Sequence, residues 1–433
     1  MAVGPSRWSG ASRVIHNVVL MVSSSGFVAL CAFAALAFNA RSLGPKDFGT
    51  LAVIQAYVAF ISGLCTFESW LPVIRLCAQS PQRLGSAASC GMSLDVLAAT
   101  LAAIIAICGI LMFGTVIGVS EENRLLAVIY SFSLFAGVAG TPKGVFRLNG
   151  RYDILVGNQL AQGVAMVVSS FVLWTFDASL FVYVGVLASI GALYNLTLFA
   201  RLILYARREN IKFSNPLRSR SKRRFFRVFL AMATGTSFLS TLVGSRRHIA
   251  LFLVSGILGE VAAGSYSAAS RLATMVSRVA GPLNQVVFPE IAKFSMKKPP
   301  SELYKMGRRI TIISFAASGV VALLGIILRQ PIMIVSVGPA YSDASLLFAI
   351  LFAAECFGLA GIHFNPLIQT FTGAKPLVKI MTLAMIFYVP LSIGLAFWWG
   401  APGVAWAGLI VSFSIYMAMA AVSRMLIRRR LSL

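Results

Sequence analysis

The chain is expected to fold as an all-α integral membrane protein. It should have about twelve transmembrane helices in two six-helix lobes, related by a pseudo-two-fold axis along the membrane normal and enclosing a central cavity. Three observations predict this. Apolar stretches long enough to cross a bilayer recur from Val14 to Met425, and a hydrocarbon core of about 30 Å requires roughly 20 helical residues. Charged residues are 12% of the chain against 58% hydrophobic. Positive charge falls on alternate connections. Helices are expected because in hydrocarbon each satisfies its own backbone groups.

In order, the spans fall at 14–38, 48–72, 88–113, 123–146, 153–175 and 180–206, then 228–253, 263–289, 310–328, 343–370, 377–399 and 403–424. One set of connections holds Arg7 and Arg13, Arg75 and Arg83, the Lys143/Arg147/Arg151 turn, and Arg207 through Arg227. It continues with Lys293 through Arg309, Lys375 with Lys379, and the tail Arg424 with Arg428 through Arg430. The other set holds Arg41, Lys46, Arg124 and Arg329. Basic residues near span ends resist translocation, so the rich side reads as cytoplasmic, with both termini inside.

A net charge of +24 would point to nucleic acid in a soluble protein. Here its distribution assigns it to topology and to attraction for anionic inner-leaflet lipids. No nucleic-acid partner is expected. The first apolar run, about 25 residues, is too long for the core of a signal peptide and reads as an uncleaved span. The six cysteines, Cys31, Cys65, Cys77, Cys90, Cys108 and Cys356, form neither a disulfide framework nor a zinc spacing.

The longest basic connection divides the chain into an N-terminal lobe (1–206), a cytoplasmic linker (207–227) and a C-terminal lobe with a basic tail (228–433). The halves echo each other. Leu43-Gly44 with Gly49 after the first span matches Leu258-Gly259 with Gly264 after the seventh. Pro142 with Gly150 is echoed loosely by Pro366 with Gly373. Repeats of six spans point to a site between the lobes near mid-depth.

An ionised group at the bilayer centre costs about 2.5–3.5 kcal/mol on insertion scales, so such groups usually face a cavity. Span eight is the richest case, with Ser267, Arg271, Thr274, Arg278, Pro282 and Gln285 spaced by three and four on one helical face. At 1.5 Å per residue, Arg271 lies about 12 Å from the outer end. Arg271 and Arg278 are therefore expected to line a cleft that suits an anion, with Ser267, Thr274, Asn284 and Gln285 beside them. Arg246 and Arg247, with His248, come about 27 Å along span seven, near its outer boundary. They read either as a cap on the cleft mouth or as interfacial anchors.

Glu355, about 18 Å into span ten, reads either as an ion-pair partner for Arg271 or as a proton or cation site. Asp95 is intramembrane or near the inner edge. Glu68 and His363 fall near inner ends, within snorkelling reach. Asn17, Gln55, Asn158 and Gln162 are further polar candidates that would bridge helices. No resident cofactor or metal is expected, because Walker, dinucleotide and metal-helix motifs are all missing from the sequence. A coupling cation, H+ or Na+, stays open.

Several segments resemble a known family. Arg41-Ser42-Leu43-Gly44-Pro45-Lys46-Asp47-Phe48-Gly49 is similar to the turn after the first helix of bacterial polysaccharide transporters. These are the O-antigen flippase-like members of the multidrug/oligosaccharidyl-lipid/polysaccharide exporter superfamily. Gly264-Ser265-Tyr266 through Arg271-Leu272, Val287-Phe288-Pro289, and Val337-Gly338 through Tyr341 and Ala344 resemble that family's helix-eight and pre-helix-ten elements. One departure is Arg246-Arg247-His248, where members commonly carry an acidic-basic pair.

The resemblance implies a flippase. Its cargo would be a polyprenyl-pyrophosphate-linked oligosaccharide, moved across the bacterial inner membrane by alternating access for exopolysaccharide, capsule or O-antigen (lipopolysaccharide) assembly. Polysaccharide polymerase and export machinery would be its partners. The alternative is an ion-coupled drug or small-solute antiporter of the same or a major-facilitator-like fold. Mid-span arginines outnumber acids, which favours an anionic cargo. A glycan polymerase or transferase would need a large external loop, and the longest external connection runs only from Arg329 to Ser342. No enzyme activity is expected.

Overall fold

The computed structural model describes residues 10–78, 80–211, 213, 220–277, 300–372 and 375–431. Arg278, Asn284 and Gln285, named above, lie outside them, and so does the side chain of Asn17. Secondary structure among the described residues is helical. The first half comprises α1 (Gly10–Cys65), α2 (Trp70–Ala78), α3 (Leu84–Ile117), α4 (Arg124–Ser131), α5 (Gly140–Leu148), α6 (Tyr152–Thr175) and α7 (Leu180–Arg208). The second comprises α8 (Arg220–Leu258), α9 (Glu260–Ala273), α10 (Pro300–Ile327), α11 (Arg329–Val337), α12 (Ser345–Ala360), α13 (Phe364–Thr372), α14 (Lys375–Trp399) and α15 (Ala401–Leu431). Leu97, Met112, Phe113, Val116, Phe387 and Phe397 stand exposed on the outside, the reverse of a water-soluble surface and the expected face toward lipid.

Among the described residues, nine helices are long and apolar enough to cross a membrane. Spans one and two are one continuous run bent at Gly44. Spans two, four and ten are each broken in mid-course, before α2, α5 and α13. The breaks share a sequence cause: Pro72, Pro142 and Pro366 each occupy the third position of the helix that follows. A proline there lacks the donor that would continue the upstream helix and crowds the carbonyl four residues back, yet it suits a first turn whose N–H groups have no intrahelical partner.

Two connections carry helix of their own. Within the expected linker 207–227, α7 runs to Arg208 and α8 begins at Arg220, as the helix propensity of Lys and Arg allows. The connection after Arg329 begins with the helix α11, with Met333 and Val337 buried. It is clipped to the end of span one by Arg41 Nη2 donating to the Val335 carbonyl (2.5 Å). The Tyr341 hydroxyl donates to the Ala40 carbonyl nearby (3.1 Å).

The internal echo is structural. Gly44 (φ +66°, ψ 177°) and Gly259 (φ +87°, ψ 178°) share a backbone conformation that is essentially closed to other residues. Five residues on, Gly49 and Gly264 seat against each other's segment. A Cβ on Gly49 would collide with the Glu260 carbonyl, and one on Gly264 with the Pro45 carbonyl. Pro45 follows Gly44 as Glu260 follows Gly259, so the contact is reciprocal, as a two-fold axis between the halves requires. Glycine lets the two backbones approach this closely.

At this end the halves share one core, with Phe48, Leu51 and Ile54 of α1 packed among Ala250, Val254, Tyr266, Ala269, Tyr341 and Phe348. Toward the other end the core forks. One branch holds Val73, Cys77, Phe146, Leu198 and Phe229, the other Ala360, Phe364, Ile368, Tyr416 and Met419. The functional space lies in the fork.

Candidate functional site

Three adjoining cavities cross from one half to the other. The first, about 420 Å³, lies in the first half and is lined by Glu68, Trp70, Asp95, Lys143, Arg147 and Asn195 among others. The second, about 250 Å³, shares Thr66, Phe67 and Glu68 with it and adds Thr241, Ser245 and His248 of α8. The third, about 580 Å³, shares Gly244 and His248 and runs into the second half past Arg246, Arg247, Ser277 and Glu355. Its far wall is apolar, with Met381, Met385, Ile415 and Met419.

The helix breaks shape the first chamber. Asp95, buried on α3, accepts from the Ser69 hydroxyl (2.6 Å) and from the Thr141 N–H (2.7 Å). It therefore ties the break of span two to that of span four and caps α5, whose first N–H groups would otherwise be unpaired. Beyond it, α5 carries Lys143 and Arg147 to the wall. Lys143 Nζ stands 5.5 Å from the Tyr194 ring centre, and the Arg147 guanidinium lies 4.7 Å from that of Trp70. Such contacts hold a cation at a wall without neutralising it.

In the second half, Arg247 Nη2 donates to both Glu355 oxygens (3.1 and 3.3 Å), and the Ser277 hydroxyl donates to the same carboxylate. Arg246 Nη1 donates to Ser412 Oγ (2.9 Å). Among the described residues, no carboxylate lies within ion-pair distance of Lys143, Arg147 or Arg246. Across the three cavities Lys143, Arg147, Arg246 and Arg247 stand against Glu68, Asp95 and Glu355. With Asp95 serving as a cap and Glu355 paired, Glu68 is the remaining carboxylate and the balance is positive.

The partner of Glu355 is thus Arg247, not Arg271. Arg271 sits instead in the seam between the halves, where Nη2 donates to Gln55 Oε1 (2.7 Å) and the guanidinium lies 5.4 Å from the Phe48 ring centre. The regular helix α9 ends at Ala273, so the stripe expected on span eight is divided. Ser267 is buried, while Thr274 lines a small recess with Arg246, Arg247, Glu355 and Tyr388. Arg246 and Arg247 lie deeper than expected, because α8 runs on to Leu258 and leaves about 18 Å of helix beyond Arg246. Glu68 stands at the break of span two, facing the first and second cavities. His363 is buried in a separate pocket of the second half. Asn158 bridges α6 and α7, donating to the Tyr194 carbonyl (3.0 Å) and accepting from the Thr197 hydroxyl (2.8 Å).

Sequence reasoning placed Lys143 and Arg147 among the topology charges and missed their place on the wall. The available signal was Gly137 and Pro142 just upstream, which interrupt span four and redirect its last turns.

Residues 14–295 match the family described as "Polysaccharide biosynthesis protein". The inner membrane protein YghQ of Escherichia coli (strain K12) is 24% identical over 345 residues, covering 77% of this chain and 96% of that protein. Among solved structures, the lipid II flippase MurJ in an inward closed conformation matches with a TM-score of 0.74 at 15% identity, covering 94% of this chain and 87% of that one. An inward-facing multidrug resistance MATE family transporter of the MOP superfamily matches with a TM-score of 0.72 at 13% identity, covering 96% and 99%. At such identity the two structures show the fold, a two-lobe bundle of twelve transmembrane helices. The chain is therefore an integral membrane protein of transporter architecture, and it belongs to the polysaccharide biosynthesis protein family.

Proposed function

We propose that the protein is a flippase that carries a polyprenyl-pyrophosphate-linked oligosaccharide across the bacterial inner membrane by alternating access, with both termini cytoplasmic. It would serve exopolysaccharide, capsule or O-antigen assembly and pass its cargo to polymerase and export machinery. The observation that carries this reading is the string of cavities lined by Lys143, Arg147 and Arg246, with no carboxylate in ion-pair distance of these three among the described residues. Arginine engages phosphate oxygens by paired, charge-assisted hydrogen bonds. The charged headgroup would be costly to move through hydrocarbon unaided. Trp70 and Asn195 offer a sugar an apolar ring face and an amide, and the prenyl chain stays in lipid.

The test uses the purified chain in proteoliposomes holding a fluorescent lipid-linked oligosaccharide, with an external reductant reporting the outer leaflet. Flipping above empty vesicles is expected. The Arg147→Ala/Arg246→Ala variant should lose it at least about tenfold at equal incorporation, two charge-assisted contacts being removed. Wild-type flipping in that variant, or none in the native chain, would end the reading. Proton- or Na+-driven efflux of a cationic drug in the same vesicles would replace it with the antiporter.

A further inference from the structure

A cavity of about 320 Å³, separate from the string described above, lies between α10, α13 and α15. It is about 10–12 Å from the ends of α10 and α15 that face away from the glycine seam. Arg308 and Arg424 line it with Thr311, His363 and Ser423, and no carboxylate does among the described residues. Two of these groups are buried and incompletely paired. His363 is 2% exposed and Ser423 3% exposed, and His363 Nδ1 and Ser423 Oγ have no hydrogen-bond partner among the described residues.

The histidine's tautomer follows from its neighbour. The Thr311 hydroxyl gives its one proton to the Gly307 carbonyl (2.8 Å), so it accepts from His363 Nε2 (2.9 Å). Nε2 then carries the ring proton of the neutral imidazole, and Nδ1 is a bare acceptor. A buried acceptor without a donor is costly. The pocket therefore presents two guanidinium groups that call for an anion and an acceptor that calls for a hydroxyl.

We propose that this pocket binds the headgroup of an anionic glycerophospholipid whose phosphodiester bears a hydroxylated substituent, as in phosphatidylglycerol. The phosphodiester oxygens meet Arg308 and Arg424, and a headgroup hydroxyl donates to His363 Nδ1, with Ser423 beside it. Basic pockets between transmembrane helices at one membrane face are suited to such headgroups. The site is outside the proposed cargo path and does not depend on that reading.

The test is lipid binding to the purified full chain in detergent, read as the shift in melting temperature by tryptophan fluorescence. Short-chain phosphatidylglycerol should stabilise the protein, and phosphatidylcholine should not. Arg308→Ala/Arg424→Ala should weaken the apparent affinity at least about tenfold. The Arg207→Ala/Arg208→Ala variant, which removes equal charge elsewhere, should leave it within about twofold, as screened surface charge predicts. Phosphatidylmethanol, an equally charged diester without the hydroxyl, should bind about fivefold more weakly. Equal weakening in both double variants would overturn the site. Equal binding of phosphatidylmethanol would overturn the hydroxyl contact. Saturation by millimolar inorganic phosphate would replace the lipid with a soluble anion.

Discussion

The two ends of the molecule are built on different physics. At the end of Gly44 and Gly259, glycine brings backbone onto backbone and one core serves both halves. At the other end the core forks, and the space between is lined by cations held against aromatic rings. Close packing tolerates no added volume, whereas a solvated, charged wall tolerates most single changes. The same bundle therefore joins a rigid contact to an adaptable chamber, as an alternating carrier of a bulky cargo would need.

The sharpest way to break this contrast is at the seam. Gly264→Val places a branched side chain onto the Pro45 carbonyl. The expected cost is about 3 kcal/mol or more, the upper range for overpacking, read as a lower melting temperature in detergent. An unchanged melting curve would mean that the backbones do not meet there.

The next test is the cap. Asp95→Ala leaves the Thr141 N–H and the Ser69 hydroxyl without their acceptor, at an expected cost of about 1–3 kcal/mol. Asp95→Asn keeps one acceptor and should recover at least half of that stability, with transport following stability. Asp95→Asn that keeps its melting temperature but loses transport would identify the carboxylate as a coupling group instead.

The smallest effect is expected within the first half, at a contact that neither joins the seam nor lines the cavities. Asn158→Ala removes the bridge between α6 and α7 and should cost about 0.6 kcal/mol, the average for polar contacts inside membranes. A loss several times larger would place the rigid part of the molecule in the lobe itself.

Much of the architecture was legible from Val14 to Met425, because hydropathy and helix rise leave little choice of span. The glycine echo was legible as spacing. Its meaning was not, since which backbone meets which depends on how spans two and eight cross. The site was less legible. Arg246 and Arg247 read from sequence as either a cleft cap or interfacial anchors, and the choice turns on where α8 ends, five residues beyond the expected span. Glu355 reads as a partner for Arg271 or as a cation site, because depth alone does not say that α8, through Arg247, faces α12. Lys143 and Arg147 were hidden by a rule that counts charge near span ends as topology. Only the break before α5 shows that they line the chamber.

One consequence follows from the reciprocal seating of Gly49 and Gly264. Main-chain oxygen and nitrogen carry no charge to titrate, so acidity and ionic strength cannot loosen that particular contact. A carrier that opened this end would have to do so by leverage along spans two and eight, since the contact itself offers no charge to act on.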